Sequence, residues 1–62
     1  MVDNYIVGEK YRVTYNQIYP ADFKCIGGKE LFFQRLDDNT FLTITEMLKG
    51  ATDVIPIADS DD

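Results

Sequence analysis

Residues 26–44 read IGGKELFFQRLDDNTFLTI, with two glycines and a lysine at one end and two aspartates and an asparagine in the middle. Two chemistries compete for this stretch. Gly27-Gly28-Lys29 could cradle a phosphate and Asp37-Asp38-Asn39 could hold a cation, or both could be places where a strand reverses. A phosphate loop needs G-x-x-x-x-G-K-[ST] opening a helix. Here the glycines are adjacent, no Ser or Thr follows Lys29, and Leu31-Phe32-Phe33 comes next. A calcium loop needs carboxylates at alternating positions, a central glycine and a distal glutamate. Residues 37–39 have none of that spacing. Glycine pairs and Asp/Asn clusters between apolar runs supply the positive φ angles of tight turns. The stretch therefore predicts two hairpin turns linking strands over 23–26, 31–36 and 40–45.

On the amino-terminal side, Tyr11, Val13 and Tyr15 alternate with Arg12, Thr14 and Asn16, the period of a half-buried strand. A first strand is expected over 10–16. Residues 17–22 contain Tyr19-Pro20; proline removes a donor and restricts the residue before it, so a loop or a sheet-edge corner is expected there.

On the carboxyl-terminal side, Thr43-Ile44-Thr45-Glu46 has the T-x-x-E form of a capping box and Gly50 can end a helical element. One short helical turn is predicted. Val54-Ile55-Pro56-Ile57 then supplies a last strand whose proline places it at an edge or at the strand's end. The predicted core is Val13, Phe23, Cys25, Leu31, Phe33, Leu42, Ile44, Leu48, Val54 and Ile55, with Tyr11 and Tyr15 on the same strand face as Val13.

Four short strands, a helical turn and a fifth strand give an all-β class. The expected form is a small five-stranded barrel or a strongly bent antiparallel sheet. This order resembles SH3-like small β-barrels: YRVTY is similar to their opening strand, FKCIGGKELFFQRL and NTFLTI to their central strands, and TEMLKGATDVIPI to the helical turn before the closing strand. The resemblance implies a fold only. The chain has no tryptophan and its first loop is short, unlike the proline-rich-peptide binders of that group, so their function is not carried over. Sm-like RNA-binding barrels share the strand order but open with a helix, which this chain does not.

With 62 residues the chain is one domain near the lower size limit for a disulfide-free core. Residues 1–58 are expected to form it, and 59–62 an acidic tail. Formal net charge is −5, and three of the eleven carboxylates fall in the last four residues. The body is weakly acidic, which is unfavourable for a duplex-DNA binder because phosphate neutralisation supplies most non-specific affinity. One cysteine and no histidine leave no internal disulfide, no histidine-based triad and no zinc set. Cys25 sits among apolar neighbours, the setting of a buried thiol rather than a nucleophile. No apolar run approaches the ~18 residues of a membrane span and no basic, apolar leader is present, so a soluble cytoplasmic protein is expected.

These features point away from catalysis and from any cofactor or metal. The expected function is a non-catalytic protein-binding module. Size and composition resemble small bacteriophage accessory proteins, which implies binding to a bacterial host protein with inhibition or redirection of it. The alternative is a small barrel binding single-stranded nucleic acid or RNA, with tyrosines stacking on bases. The residues expected to carry the contact are Tyr19, Arg12, Arg35 and Tyr5, because aromatic anchors beside arginine are the commonest hot-spot chemistry.

Overall fold

A computed structural model describes residues 2–57, so the predicted acidic tail at 59–62 lies outside the described residues. Five strands form one antiparallel sheet: β1 (Lys10–Tyr15), β2 (Tyr19–Gly27), β3 (Phe32–Arg35), β4 (Phe41–Thr43) and β5 (Ala51–Ile57). A single short helix, α1 (Ile44–Leu48), precedes β5. The order across the sheet is β4-β3-β2-β1-β5. The all-β expectation holds, and of its two forms the chain adopts the bent, open one: β4 and β5 are edges and do not pair. The molecule measures 30 × 27 × 25 Å, nearly equal in all directions because the sheet curls over its own core.

Both quoted turns are hairpin turns. After β2, the Leu31 N–H donates to the Gly28 carbonyl (3.1 Å) and Leu31 itself has φ +57. Leu31 thus belongs to the turn, and β3 begins one residue later than expected. In the next turn Asn39 has φ +62 and its N–H donates to the Arg35 carbonyl at 2.8 Å. The Asp38 carboxylate accepts from both the backbone N–H and the hydroxyl of Thr40, at 3.1 and 2.8 Å. Those bonds hold the Asp38 carboxyl below the usual carboxylate range. Both bonds fall on Oδ1 and close within its own loop.

The first loop is shorter than the sequence suggests. Asn16 and Gln17 both have positive φ, and the Ile18 N–H closes the turn onto the Tyr15 carbonyl at 3.1 Å. Tyr19 and Pro20 are consequently strand residues, paired with Tyr15 and Thr14. Proline is tolerated there for a specific reason. The Asp22 carbonyl accepts from Leu36 N–H, so the polar groups of Asp22 face the β3 side. Two residues back, the Pro20 nitrogen faces the same way, where the β2–β3 ladder has not yet begun. No ladder bond is lost.

The buried hydrophobic residues are Tyr11, Val13, Ala21, Phe23, Cys25, Phe33, Met47 and Val54. Leu31, Leu42, Ile44 and Leu48, expected in the core, are only partly buried and pack around it. Ile55 is a correction, since it is 45% exposed. Val54 pairs with Val13 and points inward, so alternation sends Ile55 outward opposite Arg12. Met47 rather than Leu48 is the side chain α1 buries. The capping box is present as read: the Thr43 hydroxyl accepts from Glu46 N–H, and the Glu46 carboxylate accepts from Thr43 N–H.

Gly27 and Gly28 both have positive φ, +95 and +97, but differ in their surroundings. A Cβ at Gly27 would lie 2.7 Å from Val7 Cγ2, whereas at Gly28 the nearest atom is Phe32 Cδ1 at 3.6 Å. Each alanine substitution should cost about 1–3 kcal/mol of backbone strain. Gly27→Ala should cost more, because Val7 must also move. Urea denaturation of both variants and of the Val7→Ala/Gly27→Ala pair checks this. Equal losses for the two single variants would show that the Val7 contact does not constrain the turn.

Candidate binding surface

Alternation along the strands divides the sheet into an inner and an outer face. Tyr11, Val13, Ala21, Phe23, Cys25 and Phe33 point inward. Their neighbours Lys10, Arg12, Asp22, Lys24 and Gln34 take the outer face. The four residues expected to form one contact patch are separated by this rule.

Arg12 is on the outer face, opposite Asp22, and grips it with two hydrogen bonds, Nε to Oδ1 at 2.8 Å and Nη2 to Oδ2 at 3.1 Å. The bonds from Arg12 are the main reason the Asp22 carboxyl is held below its ordinary value. A shallow depression of about 190 Å³ lies beside this pair, lined by Arg12, Pro20, Ala21, Asp22 and Asp37. Arg35 occupies the other face. It pairs with Phe23 at the end of β3, where the strand stops and the side chain reaches solvent. From there its charge opposes the burial that raises the Tyr15 hydroxyl pKa.

Tyr5 is not an exposed tyrosine. Its ring packs edge-on against Tyr11 and Phe33, at centroid distances of 5.0 and 5.2 Å, and closes the inner face from the amino-terminal side. Burial, followed by the Tyr11 and Asp3 neighbours, raises its pKa. Tyr19 is 61% exposed beside an equally exposed Ile18 at the tip of the first hairpin. By alternation Tyr19 takes the side of Ala21 and Phe23 and Arg12 the outer face, so the sheet separates them, and Arg12 is already paired with Asp22.

The Asp22 carboxylate gives a testable pH dependence. Its folded pKa lies below the unfolded one, so its contribution to stability is present above the unfolded pKa and is lost as pH falls through the folded value. Carbon-detected NMR titration should find Asp22 ionising below an ordinary aspartate, and Arg12→Gln should move it back up. An unchanged midpoint in Arg12→Gln would remove the pair from the account. Because both side chains are substantially exposed, the net effect on stability is expected to be small.

A second surface is apolar, and the sequence reading did not single it out. Phe41 (62% exposed), Ile26 (41%) and Phe32 (38%) stand on the outer face of β2, β3 and β4. Phe32 pairs with Gly27 and Thr43, while Phe41 pairs with Gln34 two residues further along β3. The two rings are thus diagonal neighbours, within reach of each other. Val7, also exposed, lies against Gly27 at the same end of β2. The available signal was the doublet Phe32-Phe33: in a strand, two adjacent apolar residues cannot both face one core.

Beside these side chains runs a continuous cross-strand row, Ile57–Lys10–Lys24–Gln34–Phe41, reaching from one edge of the sheet to the other. Cys25 is fully buried beneath it, and burial pushes its thiol pKa up, the opposite of an activated nucleophile. Among the described residues no three Cys, Asp or Glu side chains converge as a metal site, and no helix is long and apolar enough to cross a membrane. Comparison with known proteins returns no matching family model, no matching curated protein and no matching solved structure.

Proposed function

We propose that this chain is a non-catalytic protein-binding module whose contact surface is the outer face of β2, β3 and β4. The observation that carries the proposal is the clustering of Ile26, Phe32 and Phe41, large apolar side chains left uncovered in a domain whose inner face already supplies its core. Contiguous exposed apolar surface of this kind marks interaction sites on small soluble proteins. Phenylalanine anchors give large contact areas at low entropy cost. The domain would act by occupying a site on its partner, in the manner of the small bacteriophage accessory proteins that inhibit or redirect a host protein in the bacterial cytoplasm. Tyr19 and Ile18 form a second exposed apolar spot at the opposite end of β2, roughly 25 Å away at the rise of a strand. They and Arg12 would meet the partner only at the margin of a standard-sized interface.

The test is affinity capture from bacterial lysate at low and at near-physiological salt, with wild type, Phe41→Ser, Phe32→Ser, Tyr19→Ala and Arg12→Glu. The expected result is one protein retained by wild type at both salts. Capture should fall at least tenfold with Phe41→Ser and less than threefold with Tyr19→Ala or Arg12→Glu, all variants remaining folded by circular dichroism. Retention of mixed nucleic acid that elutes steeply with salt would replace this reading with the single-stranded nucleic-acid one. Retention that every variant leaves unchanged would remove the surface from it.

A further inference from the structure

We propose that the shallow depression beside Arg12 and Asp22 is a docking notch for the end of an extended segment of a protein partner, gripped by the backbone N–H and C=O of one residue. The proposal goes beyond the protein-binding reading above, because it rests on backbone groups of β2 and not on Phe41, Phe32 or Ile26. The Cys25 N–H donates to Glu9 on the β1 side, and the Asp22 carbonyl accepts from Leu36 on the other. Alternation therefore turns the polar groups of Tyr19, Ala21 and Phe23 toward β1 and those of Pro20 and Asp22 toward the β3 side. There β3 is too short to meet them. Its pairing with β2 begins at Phe23, and Leu36 adds one bond, 3.0 Å to the Asp22 carbonyl. The chain then leaves through the turn at 37–39. Among the described residues no hydrogen bond is made by the Asp22 N–H or to the Pro20 carbonyl.

The depression is lined by this same stretch, Pro20, Ala21 and Asp22, together with Arg12 and Asp37. A carbonyl and an N–H on one strand edge, separated by a single residue, are the pattern that receives a parallel strand: the carbonyl accepts from one partner residue and the N–H donates back to that same residue. Ala21, the residue between them, buries its methyl on the inner face and leaves the approach clear. Both gripping groups are held in place. Proline fixes φ at position 20, and Arg12 binds both carboxylate oxygens of Asp22. Little ordering is then left for the moment of binding. Leu36 occupies the next position along the line of β3, so the docked residue is the last of its strand. Only an extended peptide supplies a donor and an acceptor with this spacing. A nucleic-acid backbone supplies neither, and its phosphates would meet the Asp37 carboxylate.

The experiment is an amide NMR study of the full chain with two probes: the neutral peptide acetyl-Thr-Val-Thr-Val-amide, and its analogue N-methylated at the last valine, which lacks the N–H that the Pro20 carbonyl accepts. Before peptide is added, the Asp22 amide is expected to exchange with water at least tenfold faster than those of Ala21 and Phe23, which the β1 ladder holds. Two backbone bonds make a weak site by themselves, so saturation is expected in the millimolar range that such a titration reads. The peptide should move the Asp22 amide proton downfield and slow its exchange, and the analogue should bind at least fivefold more weakly. Phe41→Ser should leave the peptide affinity within twofold. An Asp22 amide as protected as its neighbours overturns the proposal, as do equal binding of the two peptides or shifts confined to other residues. Movement of the Asp22 amide with protein concentration alone overturns it in favour of a second copy of this chain. Phe41-dependent capture of a lysate protein without any Asp22 response to peptide leaves the protein-binding reading standing and removes the notch. The Asp22 response without Phe41-dependent capture does the reverse.

Discussion

Phe33→Ala should cost about 3–5 kcal/mol, the range for truncating a buried aromatic. At roughly 0.05–0.15 kcal/mol per residue, that is comparable with the whole stability of a domain this small. Phe33 is fully buried, pairs with Cys25 and Leu42 across its two neighbouring strands, and packs edge-on against Tyr5 and Tyr11. Its loss removes a side chain that joins β2, β3, β4 and the amino-terminal segment. Far-ultraviolet circular dichroism in a urea series is the measurement, with Phe32→Ala as the matched control. The control removes the same chemistry one residue away, on the outer face, and should stay within about 1 kcal/mol of wild type. If the two variants lose stability equally, the facing of β3 is wrong.

Met47→Ala should cost about 2–5 kcal/mol and release α1 from the sheet. With five residues this helix is far below the length at which helices persist unaided in water. It is held by the Thr43/Glu46 capping box at its start and by Met47, its one buried side chain. The Tyr15 hydroxyl also donates to the Met47 carbonyl, tying β1 to the helix. Undocking should therefore be visible twice, as lost stability and as a Tyr15 hydroxyl whose burial-raised pKa drops back toward the ordinary value. Met47→Leu conserves volume and should lose less than about 1.5 kcal/mol. A Met47→Ala variant that keeps both the wild-type midpoint and the Tyr15 titration would mean that α1 does not depend on its packing.

Turns and periods were legible in the residues themselves, because both are local. Gly27-Gly28 and Asp37-Asp38-Asn39 turn the chain since their backbone or side-chain chemistry favours positive φ or satisfies its own loop. The T-x-x-E pattern caps α1 because both of its bonds close within four residues. Alternation over 10–16 pointed to β1, which ends at Tyr15 where Asn16 turns to positive φ, and to the inward set Tyr11, Val13 and Tyr15. The same locality explains the failure at Tyr19-Pro20. Proline was read as a loop or a sheet-edge corner because its missing donor is visible in sequence, while the direction in which its nitrogen faces depends on where β3 stops.

Facing choices between adjacent apolar residues were not local. Val54 or Ile55, Met47 or Leu48, and the placement of Tyr5 each depend on which strand lies opposite and in what register. A one-residue shift exchanges the two faces of a strand. The candidate surface shares this dependence. Lys10, Lys24, Gln34 and Phe41 are separated by up to 31 positions in the chain and become one row only through three strand pairings. Arg12 and Arg35, alike in sequence, are sent to opposite faces by the same registers. Composition and local pattern by themselves determined that this chain is a small all-β domain with tight turns and a capped helical turn. Tertiary pairing alone decided which side chains the sheet covers and which it presents, because burial is a property of the partner strand rather than of the residue.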